Sequence, residues 1–556
     1  MNDLIKLPIK VHTKVWFHLC ESLMKSNTKE TLESIFICNQ NSITSDEILP
    51  EPPTDEEKLC YLSTQRVSFL CFGIFSSLSL ITGFLLFSIT SPVFYFYIFY
   101  IIVIFLFYVI SFGVLAVSSN DFKYEGSPIA LRSDEQKELE VWPSVDVYLP
   151  VCGEPLEILY NTWKYVEQID YSNINVYVLD DSCSREIEAM ASLFGFHYIT
   201  RADRPALKKA GNLRNAFKQT NGDFFLILDA DFVPRPDILK ETIPLLVEDE
   251  TIAILQTPQY FRVSKGQNWL EQGAIAVQEL FYRVIQHCRN TYEASICVGT
   301  SAIYRRKALE SLGGTAPIEH SEDVNTGLSV MKLGYKVKYL PIVLSMGLCP
   351  NLLQTFFSQQ YRWCMGSLTL MTQRDFWLSS HLTLIQKLCF TSGFIHYITT
   401  AIEPFLVPIP SICLLIMFPS QMLWYNIIFV IPSMLFTLCF MRWWSVQKER
   451  IGLFSVSYTK HIQHFAHLFA ITDLIFGTRM AWVSTGTKNQ SSAKTRLLNA
   501  LRLMFGWELF VMTLTIVLSV YRIIQGYDFY NFCIIIIQSF TTLMMTVNTL
   551  LYFVVS

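Results

Sequence analysis

The stretch Asp223-Phe224-Phe225-Leu226-Ile227-Leu228-Asp229-Ala230-Asp231 reads as a buried β-strand that stops on two carboxylates one residue apart. Five consecutive apolar residues bounded by polar ones suit a strand covered on both faces, as in a parallel sheet. Two other segments repeat the pattern: Val145-Asp-Val-Tyr-Leu-Pro150, and Ile174-Asn-Val-Tyr-Val-Leu-Asp180, which runs straight into Asp181. Helical stretches separate them, so a largely parallel, doubly wound α/β domain is expected over about 119–385. Ligands of such sheets bind beyond the carboxyl ends of the strands. Asp180, Asp181, Asp229 and Asp231 are therefore expected around one crevice.

The flanks have a different character. The chain has 556 residues, 51% hydrophobic and 16% charged, with mean hydropathy +0.33. A soluble domain carries about 25% charge, so this composition points to a membrane protein. Apolar runs long enough for a bilayer fall at about 68–89, 93–117, 389–417, 423–441, 503–523 and 529–553. Glu403, Pro404, Pro408 and Pro410 in the third run imply a bent helix facing protein or water. The stretch 442–502 carries Arg442, Lys448, Arg450, Lys460, Arg479, Lys488, Lys494, Arg496 and Arg502, whereas 90–92 and 418–422 carry no basic residue. The positive-inside rule then places both termini, the α/β domain and 442–502 in the cytoplasm of a multi-pass protein.

The expected fold class is a membrane α-helical bundle of about six spans plus interfacial helices, with an inserted α/β domain. Its divisions are a cytosolic segment (1–63), a transmembrane hairpin (64–118), the α/β domain (119–385), transmembrane helices (386–442), a cytosolic interfacial helix and loop (443–502), and a closing hairpin (503–556). Met1–Ser63 is mixed polar sequence without a signal peptide. A formal charge of -4 gives no nucleic-acid footprint. The 14 cysteines show no zinc spacing and read as buried small hydrophobes in reduced surroundings.

Several residues carry chemistry. Asp229 and Asp231 can orient a divalent cation and a ribose, since Mg²⁺ needs only one or two protein carboxylates when a diphosphate supplies other oxygens. Asp180-Asp181 reads either as a nucleoside contact or as a turn with an Asx cap. Lys208-Lys209 before Ala210-Gly211-Asn212 offers ammonium groups to a diphosphate, or is a solvated basic turn. Ser321-Glu322-Asp323 opens an amphipathic stretch that Gly334 closes. It reads as a helix cap, or it places Asp323 as a general base toward an acceptor hydroxyl. Gln359, Arg362 and Trp363 fall on a helix expected to start near Leu352. Arg362 suits a pyrophosphate and Trp363 the face of a sugar, or the pair anchors to lipid headgroups.

Taken together, Asp180-Asp181, Lys209-Ala-Gly-Asn-Leu213, Asp229-Ala-Asp231, Gln256-Thr-Pro258, Cys297-Val-Gly-Thr-Ser301 with Arg305-Arg306, Glu322-Asp323 and Gln359-x-x-Arg362-Trp363 resemble glycosyltransferase family 2. Within it the chain is similar to processive synthases such as cellulose synthases, from about Val145 to Leu370 and more loosely beyond. The resemblance implies a GT-A catalytic domain that uses Mg²⁺ or Mn²⁺. It implies an inverting transferase that polymerises a β-linked polysaccharide from a cytosolic UDP-sugar and passes it across a plasma or bacterial inner membrane. UDP-glucose and a β-glucan such as cellulose are the first expectation. A hyaluronan- or chitin-type synthase using UDP-N-acetylglucosamine and a non-processive lipid glycosyltransferase are the alternatives.

By the same resemblance, Asp180, Asp181, Glu154, Lys209 and Asp229 would contact UDP, and Asp231 with Asp229 the metal. Asp323 would be the base, Gln359 and Arg362 would hold the pyrophosphate, and Trp363 the acceptor sugar. Cys297 and Gly299 would lie near the acceptor terminus. The loop Trp482-Val-Ser-Thr-Gly-Thr-Lys488 resembles a gating loop, with Lys488 toward the donor. Expected partners are the UDP-sugar, the growing polysaccharide, the bilayer, and accessory or identical subunits. Pro150-Val-Cys-Gly-Glu154 departs from the Pro-Thr-Tyr-Asn-Glu of cellulose synthases, and His320-Ser-Glu-Asp323 from their Thr-Glu-Asp. The sequence stops at Ser556 after the last apolar run, so regulation by cyclic-di-GMP through a C-terminal PilZ domain is not expected.

Overall fold

Every residue of strand β1 (Val145–Val151) is buried, as its apolar sequence requires. It pairs in parallel with β2 (Ile174–Asp180) and with β4 (Phe224–Ile227). Adding β3 (His197–Ile199), β6 (Ile252–Gln256), β7 (Ala302–Arg305) and β8 (Lys336–Tyr339) gives a seven-stranded sheet ordered β3-β2-β1-β4-β7-β6-β8. The sheet is largely parallel; β7 alone runs against its neighbours. A two-stranded ribbon, β5 (Val233–Pro234) with β9 (Ser345–Met346), lies beside it. The computed structural model describes residues 49–63, 66–90, 101–110 apart from 103 and 107, 124, 142–421, 428–436, 441–478 and 491–555. The loop at 482–488, and Lys488 with it, lies outside them. So do most of the expected span at 93–117 and 9 of the 19 residues of that at 423–441.

The helices used below are α1 (Arg66–Thr90), α2 (Leu156–Val166), α3 (Arg185–Leu193), α4 (Lys208–Gln219), α5 (Ile238–Glu248), α6 (Trp269–Leu280), α7 (Glu322–Lys332), α8 (Leu353–Met371), α9 (Leu384–Leu406), α10 (Pro408–Met417), α11 (Ser455–Phe476), α12 (Ser491–Ile524) and α13 (Tyr530–Val555). An aromatic ladder crosses the sheet. Tyr148 of β1 stacks on Phe225 of β4 at 5.0 Å, and Phe225 on Tyr304 of β7 at 4.9 Å. Such cross-strand aromatic pairs stabilise by about 0.5–1.5 kcal/mol beyond their buried area.

Arg306 binds this ladder to its surroundings, donating to Asp146 (3.2 Å), the Tyr148 hydroxyl (2.9 Å) and the Gly222 carbonyl (2.6 Å). Arg305 donates to the Ile252 carbonyl (2.9 Å) and lies over the Phe224 ring. Both motif arginines thus secure the strands that present the site.

The segment 49–63 lies against the α/β domain as a strap. Thr54 and Glu57 form a capping box around the short helix Asp55–Lys58. Glu57 also pairs with Arg262 (2.6 Å) and Asp55 with Arg235 (2.8 Å). Lys58, nearly buried, pairs with Asp237 (2.8 Å) and Glu241 (2.7 Å).

Three helical stretches among the described residues are long and apolar enough to cross a membrane: Leu384–Met417, Lys494–Ile524 and Tyr530–Phe553. A shorter apolar stretch, Leu70–Leu86, lies in α1. The bend expected near Glu403 falls at Val407, where α9 gives way to α10 starting at Pro408. Proline has no N–H to continue the ladder. Helix α11, expected as an interfacial amphipathic helix, is gripped on several sides, by α6, α8 and α9. Gly273 of α6 admits it: a Cβ there would stand 2.0 Å from the Thr459 hydroxyl.

Candidate active site

The carboxyl ends of β1, β2 and β4 open on one cavity of about 1300 Å³. Glu154, Asp181, Lys209, Asn212, Asp229, Asp231, Glu322, Asp323, Gln359, Arg362 and Trp363 all line it. Residues from six separate motifs, up to 209 positions apart between Glu154 and Trp363, thus meet in one place.

Asp229 and Asp231 sit on the turn after β4. The Asp229 N–H donates to Thr300 Oγ1 (2.9 Å), and its carboxylate receives Lys209 Nζ at 2.5 Å. Lys209 also donates to the Gly299 carbonyl (3.0 Å) and lies 3.9 Å from Glu322. Burial, followed by the charge of Asp229, pushes the Asp231 carboxyl up to about 7. A site that crowds two carboxylates until one resists ionising favours an added cation. No group of three or more metal-ligating side chains occurs among the described residues. Two carboxylates with room beside them fit a hard divalent cation that completes its shell on diphosphate oxygens and water.

The pair at the end of β2 divides its tasks. Asp180 is fully buried and faces away from the cavity. Its carboxylate accepts from the Ser182 N–H (2.7 Å) and hydroxyl (2.6 Å), the Ser184 N–H (2.9 Å) and the Tyr198 hydroxyl (2.8 Å). That arrangement is the Asx-type turn foreseen as the second reading. Asp181 lines the cavity and takes a two-pronged bond from Arg201, at 2.8 and 2.6 Å. Arg201 also donates to the Ala206 (2.6 Å) and Lys208 (3.0 Å) carbonyls, fixing the loop that leads into α4. Sequence reasoning missed Arg201, because a lone arginine 20 residues from its aspartate has no periodic signature. Glu154 also lines the cavity, accepting the Cys152 N–H at 2.6 Å, and burial raises its carboxyl.

Helix α7 carries Glu322 and Asp323 in its first turn. The helix cap that was one of the two readings of this segment does not occur at the Ser321 side chain. Ser321 sits at φ +54° without a side-chain cap, and its hydroxyl donates to the Arg362 carbonyl at 3.3 Å. The cause is the close approach of α8. A Cβ at Gly366 would stand 1.8 Å from Ser321 Oγ, so only glycine lets the two helices meet there. That contact sets Asp323 beside the Arg362-Trp363 face of α8. Asp323 is pushed up to about 7, first by burial and then by Glu322. Burial raises Glu322 as well, against the opposing pull of Lys209. Desolvation lowers Arg362 to about 10, with Glu322, Asp229 and Asp323 countering. Gln359 turns toward the same space with its Oε1 buried and without a hydrogen-bond partner.

The segment 297–301 supports the site from behind. Gly299 has φ +79° and packs on Asp323. Gln256 Nε2 donates to the Thr257 and Thr300 carbonyls, both 2.9 Å, and its Oε1 accepts the Val298 N–H (2.9 Å). Cys297 is fully buried, its sulfur 3.0 Å from the Tyr304 hydroxyl, and does not line the cavity.

Past Trp363 the cavity continues between apolar helices. His396, Thr400 and Glu403 of α9, Lys460, Gln463 and His467 of α11, and Ser76 and Ser77 of α1 line that half. His467 Nδ1 lies 2.7 Å from Thr400 Oγ1, and Gln463 Nε2 donates to Gln360 Oε1 at 2.9 Å.

Residues 224–444 match the family model described as Glycosyl transferase family group 2. Over 271 residues the chain is 37% identical to the cellulose synthase 1 catalytic subunit (UDP-forming) of Komagataeibacter xylinus, covering 48% of this chain and 35% of that protein. Over 275 residues it is 31% identical to the cellulose synthase catalytic subunit (UDP-forming) of Xanthomonas axonopodis pv. citri, covering 49% and 37%. The chain thus spans about a third of the length of these curated relatives. Among solved structures, a mannosyltransferase of Pyrobaculum calidifontis in complex with GDP-Man and Mn²⁺ aligns over 65% of this chain and 98% of its own, with 15% identity and TM-score 0.41.

Proposed function

We propose that the chain is a processive, inverting UDP-sugar glycosyltransferase that builds a β-linked polysaccharide, a β-glucan from UDP-glucose in the first instance, and feeds it into the membrane. The observation that carries this reading is the continuity of the cavity: one space holds the strand-end carboxylates, Asp323 and Trp363, and then runs on between α9 and α11. Polar side chains such as Thr400, Glu403, Lys460 and Gln463 along that continuation suit a sugar chain better than a lipid tail. The likeness of about half the chain to cellulose synthase catalytic subunits supports the same conclusion.

On this reading the sugar nucleotide lies over the ends of β1, β2 and β4, with its nucleoside near Glu154 and Asp181. Asp229 and Asp231 hold a divalent cation, Mg²⁺ or Mn²⁺, which neutralises charge on the departing diphosphate when bound. Lys209 and Arg362 bring two further positive charges to that diphosphate, Arg362 through its rigid fork of donors. Gln359 supplies a free acceptor or, flipped, a donor to the same group. Trp363 offers a flat face to the terminal sugar of the acceptor. Asp323 removes the proton from the attacking hydroxyl as the bond from the anomeric carbon to the diphosphate breaks on the opposite side. One in-line displacement turns an α-linked donor into a β-linked product. The proton passes to Asp323 and the electron pair leaves with UDP.

The test is product formation by purified protein in lipid, with Mg²⁺ or Mn²⁺ and labelled UDP-sugars offered singly and in pairs, followed by linkage-specific digestion. High polymer from UDP-glucose alone supports a β-glucan synthase. A requirement for UDP-N-acetylglucosamine or for two donors moves the product to the chitin or hyaluronan type. A single labelled lipid overturns processive synthesis.

A further inference from the structure

Helix α8 presents Gln359, Arg362 and Trp363 to the cavity, and something must fix its rotation. Its adjoining face, at residues 360, 361 and 364, is gripped by α11 at three points. Gln463 donates to Gln360 (2.9 Å), Asp473 accepts from the Tyr361 hydroxyl (2.8 Å), and the Cys364 thiol donates to the His467 carbonyl (3.8 Å). The middle contact is the strong one. Tyr361 is 1% exposed and Asp473 2%, and a hydroxyl bond to a buried carboxylate is worth more than a neutral one.

Asp473 has further attachments. Its second oxygen accepts from the Thr478 hydroxyl (2.5 Å) and pairs with Arg496 Nη2 (2.8 Å). Thr478 stands just beyond the end of α11, and Arg496 is in the first turns of α12. One buried carboxylate therefore ties together α8, the end of α11 and the start of α12. A buried carboxylate needs its charge answered. Here the hydroxyl of Tyr361, adjacent in sequence to Arg362, is one of the groups that answers it.

We propose that Asp473 is a positioning residue for the acceptor side of the transfer. Through the Tyr361 hydroxyl it fixes the rotation of α8, and so the reach of Arg362 and Trp363 toward a carbohydrate acceptor. Arg496 sets the strength of that hold from α12. The inference rests on the assignment of Trp363 to the acceptor, and Asp473 itself touches no substrate.

The test compares Tyr361→Phe, Arg496→Met and their double variant in the full-length protein in lipid. Three quantities are followed: KM for UDP-sugar, partition between sugar transfer and UDP-sugar hydrolysis, and melting temperature. Tyr361→Phe removes one hydroxyl and no packing volume. It is expected to shift the partition toward hydrolysis by roughly tenfold to a hundredfold, the scale of one hydrogen bond to a charged group, with KM for the donor unchanged. Arg496→Met is expected to act in the same direction. The double variant should fall short of the product of the two effects, because both act on one carboxylate. Unchanged partition in Tyr361→Phe, multiplicative effects in the double variant, or losses that follow melting temperature alone would each overturn the proposal. Wild-type protein that makes no polymer would instead remove the function on which it rests, so the two failures are distinguishable.

Discussion

A Cβ built on Gly299 stands 3.0 Å from both Cβ and Oδ2 of Asp323. The residue assigned as general base is thus backed by a residue that cannot carry a side chain. Gly299→Ala is expected to reduce transfer by at least tenfold while donor binding is largely kept. Its φ of +79° adds a stability loss of about 1–2 kcal/mol. Single-turnover rates beside UDP titration calorimetry check this; equal loss of both would place Gly299 in donor binding.

Asp323→Asn keeps shape and removes basicity. Transfer should vanish with UDP affinity nearly unaltered, and lost binding with surviving turnover of bound donor would sink the assignment.

The raised carboxyl of Asp323 has a signed pH consequence. The folded protein holds this proton more tightly than the unfolded chain, whose Asp titrates near 4. Ionising it therefore costs stability as pH rises from about 4 toward 7, while the base becomes competent over the same interval. The acid limb of kcat/KM is expected near neutrality, well above an ordinary carboxylate. A limb near pH 4 would assign the base elsewhere.

Asp231 makes a similar trade. With its carboxyl pushed up by burial and Asp229, Asp231→Asn should leave the metal-free protein as stable or more so. Metal-dependent UDP affinity should fall tenfold or more, and chelation should abolish UDP binding by the wild type. Unchanged affinity in both experiments would exclude these aspartates as ligands. Melting curves with and without Mn²⁺ give the stability arm.

Arg201→Met removes both prongs to Asp181 and two carbonyl bonds. The expected loss is about 3–5 kcal/mol, the cost of leaving a buried partner charge unanswered, together with a raised KM for UDP-sugar. A variant that melts with the wild type would show that the loop before α4 is held by other contacts.

How far the sequence could be read follows from where each signal resides. The strand β4 was legible because burial on both faces writes an uninterrupted apolar run, and β1 and β2 because their runs are broken only by Asp146 and Asn175. The start of α8 was legible within one residue, expected near Leu352 and found at Leu353. The carboxylates were legible because they stand at strand ends, a local property. Arg201, Asp473 and the glycine at 366 were not, since each acts on a partner distant in sequence and nothing near it records the contact. The cap reading of Ser321 failed for a related reason: its local pattern was that of a cap, but its hydroxyl donates to the Arg362 carbonyl of α8. The bend near Glu403 was foreseen from its prolines, whereas the packing of α11 against α6, α8 and α9 was not, because each of those partners lies far away in sequence.

The strap at 49–63 bears on the order in which the protein is made. Lys58 leaves the ribosome 179 residues ahead of Asp237 and 183 ahead of Glu241. At about 5–20 residues per second this is an interval of roughly 10–40 s. Throughout it the ammonium waits without its partners, while the apolar helix α1 has already been released behind it. The strap, although synthesised first, is therefore locked only after β1 to β5 have been made. Closing it joins α5 of the α/β domain to the segment that leads into α1.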